Sequence, residues 1–508
     1  MNVKLNDFVE RMELYGEENK IQFLSEYKII REELLEEEWI EYWERLRFIK
    51  NDRAILVFGH DCLKHIKQGI VFEEYLQILR DTDEITWDNK YYLLWQVDGI
   101  MFGKTVTSAP NVKKYYYEIY HQILQEYQAE LGNLQWIRKE ERNDSLVFVM
   151  VEQFLDYKHG PTKTTMDRAR VLHRELEKNI IIMNTAEQFG GAPLELIKPL
   201  SANYNTTLLQ QEMISYEGSE YPFIQFENNM PNVLNGNELI QFIYKYKPGY
   251  IVNIGGQSLL ADTCAKVVPV LNINTVPSNI TLTEATAQMT GKVLTEEDIL
   301  LLSLLGKTQE DVIYGRFTSS LKKQEHLYTR NDLKLPANRR ILAVIGGRLT
   351  SEIDDRFVEM VEPVLELGAF LVVIGVMDNY GSMCQKHKIL AENSTNLGMQ
   401  EDVLGILDCC DLYVNPDRTG GGTSVIEAMY KKCPAVSLNH GDVALGAGPD
   451  FCVETYEQMT QELLHYLNDP VYYQEMSEKA KERATYMLDS DHAFTEIIHT
   501  FEEKFCNQ

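Results

Sequence analysis

The chain is short of positive charge. Its 508 residues include 49 Lys and Arg against 77 Asp and Glu, a formal net charge of −28. That balance excludes nucleic acid and anionic lipid as main partners, since both are held by clustered Lys and Arg. A local anion site is still compatible with it. The eight cysteines are scattered without C-x-x-C spacing, which points to reduced thiols rather than a disulfide framework. No apolar run approaches the roughly 20 residues that a bilayer span requires. The opening stretch MNVKLNDFVERMEL lacks the basic-then-apolar order of a secretion signal. A cytoplasmic protein is expected, with room for peripheral contact at the inner face of a membrane.

Apolar residues are plentiful, at 44% with 10% aromatic, and at roughly 100 to 200 residues per domain the length suits two to four domains. Stretches such as EYKIIREELLEEEWIEYWERLRFI and KKYYYEIYHQILQEYQAEL repeat aromatic and aliphatic residues at three- and four-residue spacing. They predict amphipathic helices over residues 1–143, a helical or mixed α/β accessory domain. RAILVFG is expected to add one strand. From residue 144 the texture changes. LVFVMVEQ, NIIIMNTAE, PFIQFE, YIVNIGG and PVLNINT are short β-branched runs separated by segments long enough for helices. RILAVIGG, FLVVIGV, STNLG, LYVNP and PAVSL repeat the pattern. Continuous apolar runs mark strands buried on both faces, so the alternation predicts parallel sheets covered by helices. The expected fold class is α/β: two tandem Rossmann-like doubly wound domains, 144–335 and 336–490, then a C-terminal helix 491–508. Residues 281–337 read as a helical, charged connection, and 455–508 as consecutive helices broken at Pro470.

Open α/β sheets bind ligands beyond the carboxyl ends of their strands, where glycine lets backbone approach and the next helix presents unpaired amides. Four strand ends fit. After ILAVI come Gly346, Gly347 and Arg348, suited to a two-pronged contact with a diphosphate. In NPDRTGGGTSVIEAM, Gly420, Gly421 and Gly422 lead into Thr423 and a helix whose N-terminus favours anions. The competing account is a capping box between Ser424 and Glu427, which would not require three glycines. In the first domain, Gly255, Gly256 and Gln257 of NIGGQSLLADT are cleft-lining candidates, with Gln257 and Ser258 as donors. His159, in KHGPTKTT, is a candidate catalytic base by virtue of an imidazole that titrates near 6.5, with Lys163 and Arg168 as nearby positive charge. His440, Gly441 and Asp442 of SLNHGDVALGAG lie where a donor sugar or base would pass. Asp81-Thr-Asp83 and Asp489-Ser-Asp491 have the spacing of a metal-binding pair, but both sit at helix boundaries where Asp serves as an N-cap. No metal is expected.

The GGRL turn together with NPDRTGGGTSVIEAMYKKCPAV resembles the donor half of GT-B glycosyltransferases, specifically the group 1-like donor domain. The resemblance implies that Gly347, Arg348, Gly420, Gly421, Gly422 and Thr423 meet the donor diphosphate, and that Glu427 binds its ribose. It implies transfer of a hexose or N-acetylhexosamine from a nucleotide sugar, UDP being favoured, to a glycan, lipid-linked glycan or protein. The implied setting is bacterial cell-surface glycan or glycoprotein assembly. No cofactor beyond the donor is implied. The first domain would present the acceptor, and the N-terminal segment a protein partner or a second copy of the chain. One departure stands out: eight positions before Glu427, where many retaining members carry an acid that meets the transferred sugar, this chain has Thr419. Sugar and stereochemistry are therefore not carried over. A catalytically silent relative, acting as partner or chaperone of an active transferase, is the alternative.

Overall fold

The computed structural model describes every residue except 1–2, 104–108, 110, 158, 188–193, 195, 198–203, 228–230, 277–278 and 508. Two sheets organise it. The first is built from β1 (Asn143–Val151), β2 (Asn179–Asn184), β3 (Met213–Tyr216), β4 (Ser219–Gln225), β5 (Pro248–Ile254), β6 (Val270–Ile273), β7 (Ala287–Thr290) and β8 (Val312–Tyr314). Its spatial order is β3-β4-β2-β1-β5-β6-β7-β8, and each pairing is parallel except the β3–β4 hairpin. The second contains β9 (Ile341–Gly346), β10 (Phe370–Gly375), β11 (Ser394–Asn396), β12 (Leu412–Val414), β13 (Ala435–Leu438) and β14 (Cys452–Val453). It is wholly parallel in the order β11-β10-β9-β12-β13-β14. Leaving out β3, the first sheet runs 3-2-1-4-5-6-7 and the second 3-2-1-4-5-6, so each has a topological switch point, β1/β5 in one and β9/β12 in the other.

The central strands read as apolar runs because both of their faces are covered. On β1, Leu146, Phe148 and Met150 join one core with the N-terminal helices, while Val147, Val149 and Val151 join another with Phe494, Ile497 and Phe501 of the last helix, Ser490–Phe505. That last helix thus returns to the first sheet after the second domain is complete. Lys178 to Glu502 at 2.7 Å and Arg170 to Asp491 at 2.6 Å fix it there. Seven α-helices among the described residues before β1, from Val3–Arg11 to Val112–Leu131, pack as a bundle on the opposite face.

Three expectations need correction. RAILVFG is helix, part of Asp52–His65, and its residues Ala54 to His60 are all buried. A helix in the middle of a bundle is apolar all round, so a short window of it looks like a buried strand. Residues 281–337 hold β7 and β8 besides one helix, Glu296–Leu304, and continue the first sheet before crossing over. Asp81 ends the helix Gly69–Asp81 and pairs with Arg80 at 2.7 Å rather than capping a start. Asp489 does cap the last helix, accepting from the His492 amide at 3.3 Å.

The two crossings between the domains hold each other. Ser319 N–H donates to Met487 O at 3.1 Å, and Arg316 donates to Tyr486 O at 2.6 Å. Beneath them Arg168 is 1% exposed, bonded to Asp167 at 2.6 Å and to the Thr318 hydroxyl and carbonyl at 2.8 and 3.1 Å. Arg168 is therefore a structural anchor at the crossing, with its charge neutralised internally, and adds no positive charge to the cleft.

Candidate active site

In the second domain, the stretch after β9 divides its labour. Gly346 is small because a side chain there would collide with Arg418. Gly347 has nothing within 4 Å of where a Cβ would stand. The two arginines then part in role. Arg418, its side chain 7% exposed, donates to Glu352 at 2.5 Å, to Ile345 O at 2.7 Å, to Asn415 Oδ1 at 3.0 and 2.8 Å and to the Tyr413 hydroxyl at 3.3 Å. It ties the loop after β12 to the end of β9. Arg348, its side chain 58% exposed, meets Glu352 at 3.3 Å and leans over the glycine run. A Cβ on Gly420 would lie 3.7 Å from its Nη2.

The glycine run shapes a bare helix start. Gly421 is left-handed, φ +107°, and a side chain there would sit 2.5 Å from Asn415 Oδ1. It is the N-cap of the helix Gly422–Tyr430, with no side-chain cap bond. Ser424 and Glu427 thus lie inside the helix, and the capping box does not form. Gly421, Gly422, Thr423 and Asp442 line a cavity of about 400 Å³ that also reaches Arg316 and Thr275 of the first domain. Gly441, φ +72°, presses on the Thr419 carbonyl, which accepts from the Asp442 amide at 2.7 Å. The loop carrying His440, Gly441 and Asp442 is thereby welded to the loop before the glycines, with His440 paired to Asp417 at 3.0 Å.

Glu427 is 9% exposed, and burial raises its carboxyl above the usual range. Lys163 and Lys322 pull the other way, so positive charge from the first-domain helix Gly160–Arg174 and from the crossing segment faces it. Gly347, Arg348 and Glu427 line neither this cavity nor the next one.

The first domain's switch point opens on a larger cavity of about 600 Å³. Gly255, Gly256 and Gln257 line it, together with Glu152 at the end of β1, Pro161, Thr419, and Tyr91, Trp95, Asp98 and Tyr116 of the N-terminal helices. Gln257 spends one amide N–H on Leu282 O at 2.6 Å, and Ser258 donates to Glu187. Ser258 is thereby committed to Glu187, while Gln257 keeps a second amide N–H beside the cavity it lines. Behind this wall stand buried carboxyls. Burial pushes Glu187 up to about 7 and Asp262 up to about 6. Asp262 accepts from Tyr120 at 2.7 Å and from the Glu284 amide at 2.9 Å. His159 lines neither cavity. It precedes the helix Gly160–Arg174 with its Nδ1 3.1 Å from the Thr162 hydroxyl, and burial lowers its pKa.

The structure therefore brings together Arg348, Gly420 to Thr423 and the 440–442 loop on one side, Gly255 to Gln257 on the other, and leaves His159 beside the second group rather than in it. Arg418, Glu352 and Glu152 are the site residues that sequence reasoning passed over. An arginine two positions ahead of a glycine run was the visible signal for Arg418.

No sequence-family profile and no curated protein sequence matches the chain. Solved structures do. A glycosyltransferase from Rickettsia africae aligns over 72% of this chain and 100% of its own, at 14% identity and a TM-score of 0.50. A mutant O-GlcNAc transferase from Thermobaculum terrenum aligns over 100% and 99%, at 10% identity and a TM-score of 0.56. At such identities the likeness is one of fold. Two Rossmann-like domains, a cleft between their switch points and a final helix returning to the first domain define the GT-B fold, and this chain has it.

Proposed function

We propose that the protein is a glycosyltransferase that takes a sugar from a nucleotide diphosphate sugar, UDP being the nucleotide favoured, and passes it to an acceptor held by the first domain. The observation that carries this reading is the half-exposed Arg348, just past β9, standing over the uncapped, triple-glycine helix start that follows β12. Helix amides and a guanidinium converge there on one small volume, the arrangement suited to a diphosphate. As the glycosidic bond breaks, charge grows on that diphosphate. Preorganised donors stabilise it most at that moment, so the reading assigns this task to Arg348 and the amides and calls for no metal. Glu427, one turn further in, is assigned the ribose, and the 440–442 loop the sugar or base. The fold of the two solved glycosyltransferases supports the transferase class, while hexose against N-acetylhexosamine is left to experiment.

The test is thermal melting with UDP, GDP, ADP and their sugars in EDTA. UDP is expected to raise the melting temperature, since a ligand at 100 times its Kd adds about 2.7 kcal/mol. Arg348→Ala or Glu427→Ala should cut the rise by about half or more. A flat response to every nucleotide would sink the proposal. The alternative, a catalytically silent partner, is favoured by one observation: Glu427 already faces Lys163 and Lys322 across the cleft. Nucleotide binding without any turnover of the matching nucleotide sugar would decide for it.

A further inference from the structure

We propose that the 600 Å³ cavity at the β1/β5 switch point is the acceptor site, that it takes an uncharged saccharide, and that Glu152 and Trp95 are its recognition residues. The proposal rests on the transferase reading for the word acceptor, but the binding it asserts can be tested without any nucleotide.

The walls come from two sources. Strand ends of the first sheet supply Glu152 and Gly256, while the helices Trp87–Gly103 and Val112–Leu131 supply Trp95, Asp98 and Tyr116. The N-terminal bundle is therefore part of the site. Thr419, the neighbour of Gly420, is the only lining residue from the second domain among those described. Whatever fills the cavity thus ends beside the turn assigned to the donor.

Glu152 Oε1 is buried and has no hydrogen-bond partner among the described residues, and a Cβ on Gly255 would sit 2.8 Å from it. A buried polar atom without a partner is costly, and its presence calls for a ligand group that bonds to it. Sugar hydroxyls fit, since they both donate and accept, and planar carboxyl and amide groups engage vicinal pairs of them. Trp95 and Tyr116 offer aromatic surface of the kind that packs on the apolar face of a sugar ring. An anion does not fit. The cavity's two lysines are already paired, Lys113 with Glu297 at 2.6 Å and Lys292 with Asp298 at 2.9 Å. Asp98 would oppose a phosphate at close range. Nor is the wall a strong cation trap. Burial pushes Glu152 well above the carboxylate range, which favours groups that bond to a hydroxyl over groups that neutralise an amine.

Calorimetric titration of the full chain separates the possibilities, with methyl glycosides and N-acetylhexosaminides as neutral ligands, hexosamines as cations and hexose phosphates as anions. Neutral glycosides are expected to bind, and phosphates to bind at least tenfold more weakly. Glu152→Ala should weaken glycosides about tenfold, the scale of one lost hydrogen bond to a buried group. Trp95→Ala should do the same. UDP affinity should stay within twofold in both variants, and their melting curves report whether they fold. Equal glycoside binding in wild type and variants, tighter binding of a phosphate or an amine, or no glycoside binding at all would each overturn the proposal. Failure of the donor reading is a different result: glycosides would still bind, and no nucleotide would shift the melting temperature.

Discussion

The two Rossmann-like domains share one core strand order and differ in the charge at their switch points. At β9/β12 the strand end is followed by Arg348, with Arg418 behind it, and by a helix start without a side-chain cap. At β1/β5 the strand end is followed by Glu152, with Glu187 and Asp262 behind it. The same crevice has been wired with opposite polarity. Topology supplies the location, whereas the few residues after each strand select the ligand. In a chain of net charge −28, the β9/β12 side is a local exception to the overall field, and the β1/β5 side conforms to it.

The comparison breaks first where each scaffold is weakest. Arg418→Ala removes five hydrogen bonds and leaves Glu352 facing Arg348 alone. Deleting one member of a buried ion pair typically costs about 3–5 kcal/mol, and urea unfolding should show a loss of that size. A loss under about 1 kcal/mol would mean that Arg418 does not hold the two strand ends together. On the acidic side the counterpart is Asp262, which burial pushes up to about 6 from the 3.8 of a free carboxyl. The folded state holds its proton more tightly, so the group's stabilising effect is complete below about pH 4 and is lost as pH rises through 6. Two pKa units amount to about 3 kcal/mol. The stability gap between wild type and Asp262→Asn should therefore narrow as pH rises from 4 to 7. A gap that widens would place the charged form of Asp262 among the stabilising features. Next in size is Arg348→Ala. One charge-assisted bond is worth about 1.5–3 kcal/mol, roughly 10- to 100-fold in UDP affinity. At 58% exposure the side chain contributes little to folding, so the melting temperature without ligand should not move.

Much of this architecture was legible beforehand, and the exceptions share a cause. β1, β5, β9 and β10 stand out because strands covered on both faces must be apolar throughout. β7, Ala287–Thr290, escaped because AQMT is short and half polar, and its place in the sheet comes from its neighbours. The helix Asp52–His65 was mistaken for a strand although Asn51 announces it, its side chain accepting from the Ala54 amide at 2.9 Å. At the candidate site, Arg348 and the glycine run drew attention because each belongs to a local glycine motif, GGRL and TGGG. Glu152 was not. Its meaning depends on Trp95 and Asp98, which arrive from helices more than fifty positions earlier in the chain, and on burial, which no local pattern reports.

The smallest expected effects discriminate best between the two crevices. Gly347 and Gly256 each lie in a strand-end turn at their domain's switch point, one after β9 and one after β5, and neither would meet any atom within 4 Å through an added Cβ. Neither has the left-handed backbone that restricts side chains, unlike Gly421 at φ +107°. Alanine at either position should leave stability unchanged or raise it by less than about 1 kcal/mol, through the lost freedom of the unfolded chain. Any change in binding then reports a ligand passing close to the backbone. Gly347→Ala is expected to weaken UDP about three- to tenfold, near 1 kcal/mol, and to spare methyl glycosides. Gly256→Ala is expected to do the reverse. If both substitutions weakened the same ligand, the two switch points would belong to one continuous site, and the division of labour between a phosphate-holding and a saccharide-holding crevice would fall.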